Sequence, residues 1–192
     1  MAVSANCCEQ ARVLDGPTYV LCEGESDRAF LEMLISEYEL VGIEVGSPQD
    51  SNRFGKDAFP VHLLGLATSE SYQRIENLLV IADNDDDPAA AQSACQAALR
   101  EIGYEVPNPP AVLESDKKVA IHMLPSLGVT GGLEQLILSA LFEVNPGLRA
   151  CIDDYSKCTG RVGSWTANPR AKMEMVCIIA SHCQDNPGVP LR

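Results

Sequence analysis

The run NLLVIADNDDDPAAAQSACQAALREIG, residues 77–103, constrains the fold more tightly than any other stretch of the chain. Residues 78–82 are consecutive apolar residues, which suits a short strand covered on both faces of a parallel sheet. Asp87 can cap a following helix, and Pro88 fits its first position, where no helical N–H is lost. Ala91, Cys95, Leu99 and Ile102 then fall on one helical face, and Gly103 closes the helix. Buried strand, acidic turn and amphipathic helix, in that order, make a βα unit.

The rest of the chain repeats the alternation. Residues 18–22 read as a buried strand. From Ser26, the spacing of Ala29, Phe30, Leu31, Met33, Leu34, Ile35 and Tyr38 predicts a helix with a broad apolar face. VGIEVG, residues 41–46, is a short strand, and SPQDSNRFGKDAFP, residues 47–60, reads as mostly loop from its Gly and Pro. KVAIHMLP (118–125) is a further strand, LEQLILSALFE (133–143) a helix, and residues 171–183 a last helical pattern. This order predicts an α/β fold: an open, mostly parallel sheet with helices on both faces. Residues 1–15 lack the basic-then-apolar pattern of a signal peptide and read as the flexible lead-in of a cytoplasmic protein. Residues 16–192 are expected to form a single domain with a C-terminal helical extension. No apolar run approaches the ~20 residues needed to span a bilayer.

Charge narrows the function. With 14 basic and 27 acidic residues, the formal net charge is −13. That excludes a general nucleic-acid binder, since phosphate binding relies on Lys and Arg. A local basic groove, a bound cation or a basic partner could still bring the chain to a polyanion. The eight cysteines contain no C-x-x-C pair, and Cys22, Cys95 and Cys177 lie inside apolar patterns, so reduced, structural thiols are expected. A zinc or disulfide arrangement of Cys151, Cys158, His182 and Cys183 is the weaker alternative. Among the histidines, His122 in VAIHMLP reads as a satisfied core residue.

The acids cluster at two junctions, VLCEGESD (20–27) and LVIADNDDD (79–87). In each, an apolar strand ends in a carboxylate and more acids follow in the turn to a helix. Loops at the carboxyl ends of parallel strands line the ligand crevice of open α/β sheets. If the two strands are neighbours, Glu23 and Asp83 face each other there, with Asp27 and Asp85 able to turn toward the same point. Carboxylates so crowded need a compensating cation, and Mg²⁺ suits an all-oxygen donor set. The competing reading is capping: acids are favoured at helix N-termini, which accounts for Asp27, Asp86 and Asp87 without a ligand. It accounts less well for Glu23 and Asp83, which end strands. Glu25 reads as a solvated bystander.

Together these residues resemble the Toprim (topoisomerase–primase) domain, and most closely its form in OLD-family nucleases and related standalone proteins. Glu23 matches the Toprim glutamate, and Asp83 and Asp85 match its Asp-x-Asp pair. EGESD fits the E-G-x-x-D extension of the OLD branch through Glu23 and Asp27. GGLEQLIL places Glu134 where that branch carries an acid at a helix start, and Lys172 in NPRAKMEM is a looser match to its C-terminal lysine. An acid opening a helix and a solvated helical lysine are the alternatives for these two. The resemblance spans residues 18–181. It implies a Mg²⁺- or Mn²⁺-dependent nuclease of DNA repair or phage defence, with Glu23, Asp27, Asp83, Asp85 and Glu134 on the metal. Glu23 would also serve as general acid or base, and Lys172 would stabilise the pentacovalent phosphate. DNA or another phosphodiester is the implied substrate, and an ATPase or DNA-binding partner and self-association are further expectations. Two other readings stand beside it: a non-catalytic metal- or nucleotide-binding module working with a partner protein, and a receiver-like domain with Asp83 as phosphoacceptor. Lys56, in RFGKDAF, could meet a phosphate, but nothing in the sequence places it near the acids.

Overall fold

The computed structural model describes residues 16–48, 55–160 and 165–182, and the expected alternation is realised in it. In chain order the elements are β1 (Thr18–Leu21), α1 (Glu25–Glu37), β2 (Ile43–Gly46), α2 (Phe59–Ala67), β3 (Asn77–Asp83), α3 (Pro88–Arg100), β4 (Leu113–Glu114), β5 (Lys118–Leu124), α4 (Leu133–Val144), α5 (Pro146–Thr159) and α6 (Ala167–His182). Short 3-10 turns at Gly55–Ala58 and Glu70–Arg74 flank α2.

The strands form one sheet in the order β2-β1-β3-β5-β4, parallel except for β4. The fold is therefore α/β with an open, mostly parallel sheet. From β1 the chain moves outward to β2, then returns across β1 to β3 and continues to β5. The order reverses between β1 and β3, so their carboxyl ends flank a topological switch point. Leu21 lies opposite Val80 in the parallel register, which brings Glu23 and Asp83 to the same end of the sheet.

Alternation along the strands distributes the core. Tyr19, Leu21, Leu78, Val80, Val119 and Ile121 pack beneath α2 and α3, against Phe59, Leu63, Cys95 and Leu99. Val20, Val45, Ile81 and Leu124 face the other way, toward Phe30, Leu31 and Ile35 of α1 and Leu133 of α4. Burial of both faces explains why β3 is apolar at successive positions instead of alternating. A third cluster joins α4, α5 and α6 through Leu138, Ile152, Met175 and Ile178.

Several expectations need correction. The apolar face of α1 is narrower than its composition suggests: no residue of α1 is fully buried, and Met33 and Tyr38 are exposed. Residues 47–60 are not mostly loop where they are described. Gly55–Ala58 is a 3-10 turn, and α2 starts at Phe59, with Pro60 in its first turn, where proline costs no helical bond. Residues 49–54 lie outside the described residues. Helix α5, capped by Asn145, whose Oδ1 accepts the Leu148 N–H at 3.3 Å, has no counterpart in the sequence reading. His122 is exposed on β5 and is not a core residue. Cys22 and Cys95 are buried and Cys151 and Cys158 exposed; Cys183 lies outside the described residues.

Candidate functional site

The acidic ends of β1 and β3 converge. Glu23 follows β1 and turns across the switch point, where its Oε1 accepts the backbone N–H of Asp83 at 2.8 Å. The carboxylate thus spans the two strands. Asp83 in turn accepts, at Oδ1, the N–H of Leu133 at 3.0 Å. It therefore sits on the positive end of α4, where free N–H groups and the helix dipole favour an anion. Gly132 makes this approach feasible, because a Cβ there would lie 2.2 Å from Asp83 Oδ2.

Asp27 lies in the first turn of α1, and its Oδ2 accepts the Gly24 N–H at 3.0 Å. The capping reading is thus realised for Asp27, but it does not exhaust that carboxylate. Burial, and then the charge of Glu23, push its pKa up to about 6, with Glu134 adding to the effect and Lys172 opposing it. Asp83 is pushed up to about 7, first by burial and then by Glu23, Asp27 and Glu134. These acids feel one another across a small cleft lined by Glu23, Asp27, Leu31, Ile81, Ala82, Asp83, Leu124 and Leu133. Its apolar walls keep the local dielectric low and strengthen the repulsion. Asp87, by contrast, accepts the Ala90 N–H at 3.0 Å as a helix cap, and Asp86 is exposed.

Lys56, which nothing in the sequence places near the acids, stands among them. Its ammonium donates to Glu23 Oε1 at 3.0 Å, to the backbone carbonyl of Asp83 at 2.9 Å, and to Asp85 Oδ2. Burial works against that charge, but the bonds to Asp85 and Glu23 outweigh it, and the Lys56 pKa is raised. On Glu23 the balance falls the other way: burial raises its pKa despite Lys56. Gly55, at φ 59°, lets the turn carrying Lys56 approach, since a Cβ there would stand 3.0 Å from Glu23 Oε2.

Asp85 is held on the Lys56 side of the cluster. Its φ of 51° is left-handed, which aspartate tolerates better than most residues. Reciprocal backbone bonds with Gly131, at 2.9 and 2.8 Å, fix it there. Its Oδ1 accepts the side-chain amide of Asn168, at the start of α6, at 2.7 Å. Among the predicted residues, then, Glu23, Asp27 and Asp83 line the cleft, and Glu134 and Lys172 are felt there electrostatically. Asp85 stands beside them as a partner of Lys56. Glu25, 65% exposed, accepts from Ser47 at 2.7 Å. Sequence reading left both Lys56 and Asn168 out of the site. A lysine in a polar stretch has no periodicity to mark it, and its distance from Glu23, 33 residues, is set by the fold alone.

Residues 17–192 match a family described as "Protein of unknown function (DUF3226)". The chain belongs to the DUF3226 family. The match covers everything from Pro17 onward, so the acidic cleft, Lys56 and the three C-terminal helices all fall within the family's span. No curated protein and no solved structure matches the chain. Among the described residues, no helix is long and apolar enough to cross a membrane.

Proposed function

We propose that this DUF3226 protein is a divalent-metal-dependent, phosphodiester-cleaving enzyme of the Toprim type, with Mg²⁺ or Mn²⁺ held in the cleft between β1 and β3. The observation that carries this reading is the convergence of Glu23 and Asp83 at the switch point, in mutual repulsion with Asp27 and Glu134. The donors fit a hard cation: all are carboxylates, with neither thiolate nor imidazole among them. As the side chains stand, no group of three or more His, Cys, Asp and Glu among the described residues is arranged to hold a metal ion, so an ion in this cleft would rest on two carboxylates completed by water, as Mg²⁺ sites commonly do. Asp27 and Asp83, with part of their oxygens engaged by Gly24 and Leu133, are the first residues expected to hold an ion, with Glu23 and Glu134 beside them.

When bound, such an ion supplies charge neutralisation at a phosphate oxygen and a more acidic water. The chain's own residues do the rest. Glu23, bridging the strands, is placed to move a proton at Oε2, the oxygen that Lys56 and the Asp83 N–H leave free. The charge of Lys172 is felt at Asp27 and adds positive potential for an anionic substrate. The apolar wall of Leu31, Leu124 and Leu133 excludes water behind the acids. The test is cleavage of plasmid and single-stranded DNA with Mg²⁺ or Mn²⁺. Wild type should cleave, and Glu23→Ala and Asp83→Ala should not. Equal cleavage by all three would remove the assignment.

The pairing of Lys56 with Glu23 and Asp85 favours one second reading, a non-catalytic binding module that works with a partner protein. The lysine already neutralises part of the cluster, and a net charge of −13 opposes a free polyanion. Metal binding measured by calorimetry, without turnover on any phosphodiester, would select it.

A further inference from the structure

We propose that Lys56 supplies the second positive charge of this site, so that the cleft takes up one divalent cation per chain and not two. This rests on the metal-site reading above and sharpens it. An ammonium has three hydrogens and no acceptor. Lys56 places all three on oxygens from the ends of β1 and β3: Glu23 Oε1, the Asp83 carbonyl and Asp85 Oδ2. One backbone carbonyl and two carboxylates converging on a point are the donors a hard cation would use. The lysine is saturated there, with its side chain only 14% exposed.

The surroundings are shaped for the lysine. Gly55 lets its turn close on Glu23, and the Asn168 amide and Gly131 hold Asp85 in place to receive it. The acids on the other side of the cleft are in the opposite condition. Among the described residues, no ion pair engages Asp27, Asp83 or Glu134. The cluster therefore divides in two. One half is compensated by Lys56, and the other, Asp27 and Asp83 with Glu134 nearby, is left for an added ion. Paired metal ions in phosphoryl-transfer sites stand ~4 Å apart. The ammonium already takes the Glu23, Asp83 and Asp85 oxygens on which a second ion would draw, and a dication beside it would meet both its charge and its claim on the same oxygens.

Calorimetric titration of the metal-free full chain with Mn²⁺ tests this, alongside paramagnetic resonance of the loaded protein. Wild type is expected to bind one Mn²⁺ and give an uncoupled spectrum. Lys56→Ala is expected to take up a second ion and show the exchange coupling of a neighbouring pair. Lys56→Arg, which keeps the charge, should stay at one, and this separates loss of charge from loss of structure if the alanine variant is poorly folded. Two ions in wild type, a single ion in a folded Lys56→Ala, or a second ion in Lys56→Arg would overturn the assignment. Binding by none of the three proteins would remove the metal site itself, and this inference with it. A failure of stoichiometry alone leaves the metal-site reading standing.

Discussion

Asp83→Asn should stabilise the metal-free protein while abolishing its proposed chemistry. In the folded state the Asp83 carboxyl is raised from 3.8 to about 7 by burial and by its acidic neighbours. A group raised in this way contributes stability that is complete below its unfolded pKa and lost as pH rises through the folded one. About three pH units at ~1.4 kcal/mol each give an upper limit of about 4 kcal/mol lost by pH 8. Solvent reaches the half-buried side chain and screens part of this, so about 2 kcal/mol is the working figure. Asparagine removes the charge, and its Oδ1 can still accept the Leu133 N–H. Urea denaturation in the presence of a chelator should therefore show Asp83→Asn more stable than wild type by about 2 kcal/mol at pH 8 and by less than about 1 kcal/mol at pH 5. Saturating Mg²⁺ should stabilise wild type by mass action and close the gap at pH 8. A variant less stable than wild type at pH 8, or a gain equal at both pH values, would refute the claim that the Asp83 charge, buried among other acids, destabilises the metal-free fold.

Three further outcomes follow from neighbouring contacts. Gly132→Ala, whose Cβ would collide with the Asp83 carboxylate at 2.2 Å, should cost about 1–3 kcal/mol in chemical denaturation and weaken metal binding, because Asp83 must leave the α4 N-terminus. Lys117 is buried at the other end of the sheet, where it donates to the carbonyls of Tyr72 at 3.0 Å and Ile75 at 2.6 Å and lies over the Tyr72 ring. Lys117→Met strands both carbonyls and should cost about 2–3 kcal/mol of unfolding free energy, with metal affinity unchanged. Asp87→Ala removes the cap on α3 and should cost about 1 kcal/mol in the same assay.

The parts legible in the sequence are those fixed by short-range chemistry. β3 and α3 could be read because an unbroken apolar run, a capping aspartate and a first-turn proline each act locally, and all three are realised. The meeting of Glu23 with Asp83 required only that two apolar strands be neighbours, and the β1–β3 register supplies that. Residues whose role depends on long-range geometry stayed hidden. Lys56 reaches the acids because α2 packs on the opposite face from α1 and carries its preceding turn over the switch point. Asn168 reaches Asp85 across 83 residues, through the docking of α6 on α4. The overstated face of α1 has a simple cause: Met33 and Tyr38 match the helical period, but the short strands beneath cover only Phe30, Leu31 and Ile35. The first two residues of α2, Phe59 and Pro60, read as loop because Pro60 looks like a breaker unless the start of the helix is already known.

The most direct measurement is the anomalous difference map of crystals of the full chain soaked in Mn²⁺. The account predicts a peak in the cleft between β1 and β3, bounded by the carboxylates of Asp27 and Asp83, with Lys56 still bonded to Glu23 and Asp85. No peak in that cleft, or Mn²⁺ bound only elsewhere on the acidic surface, would contradict it.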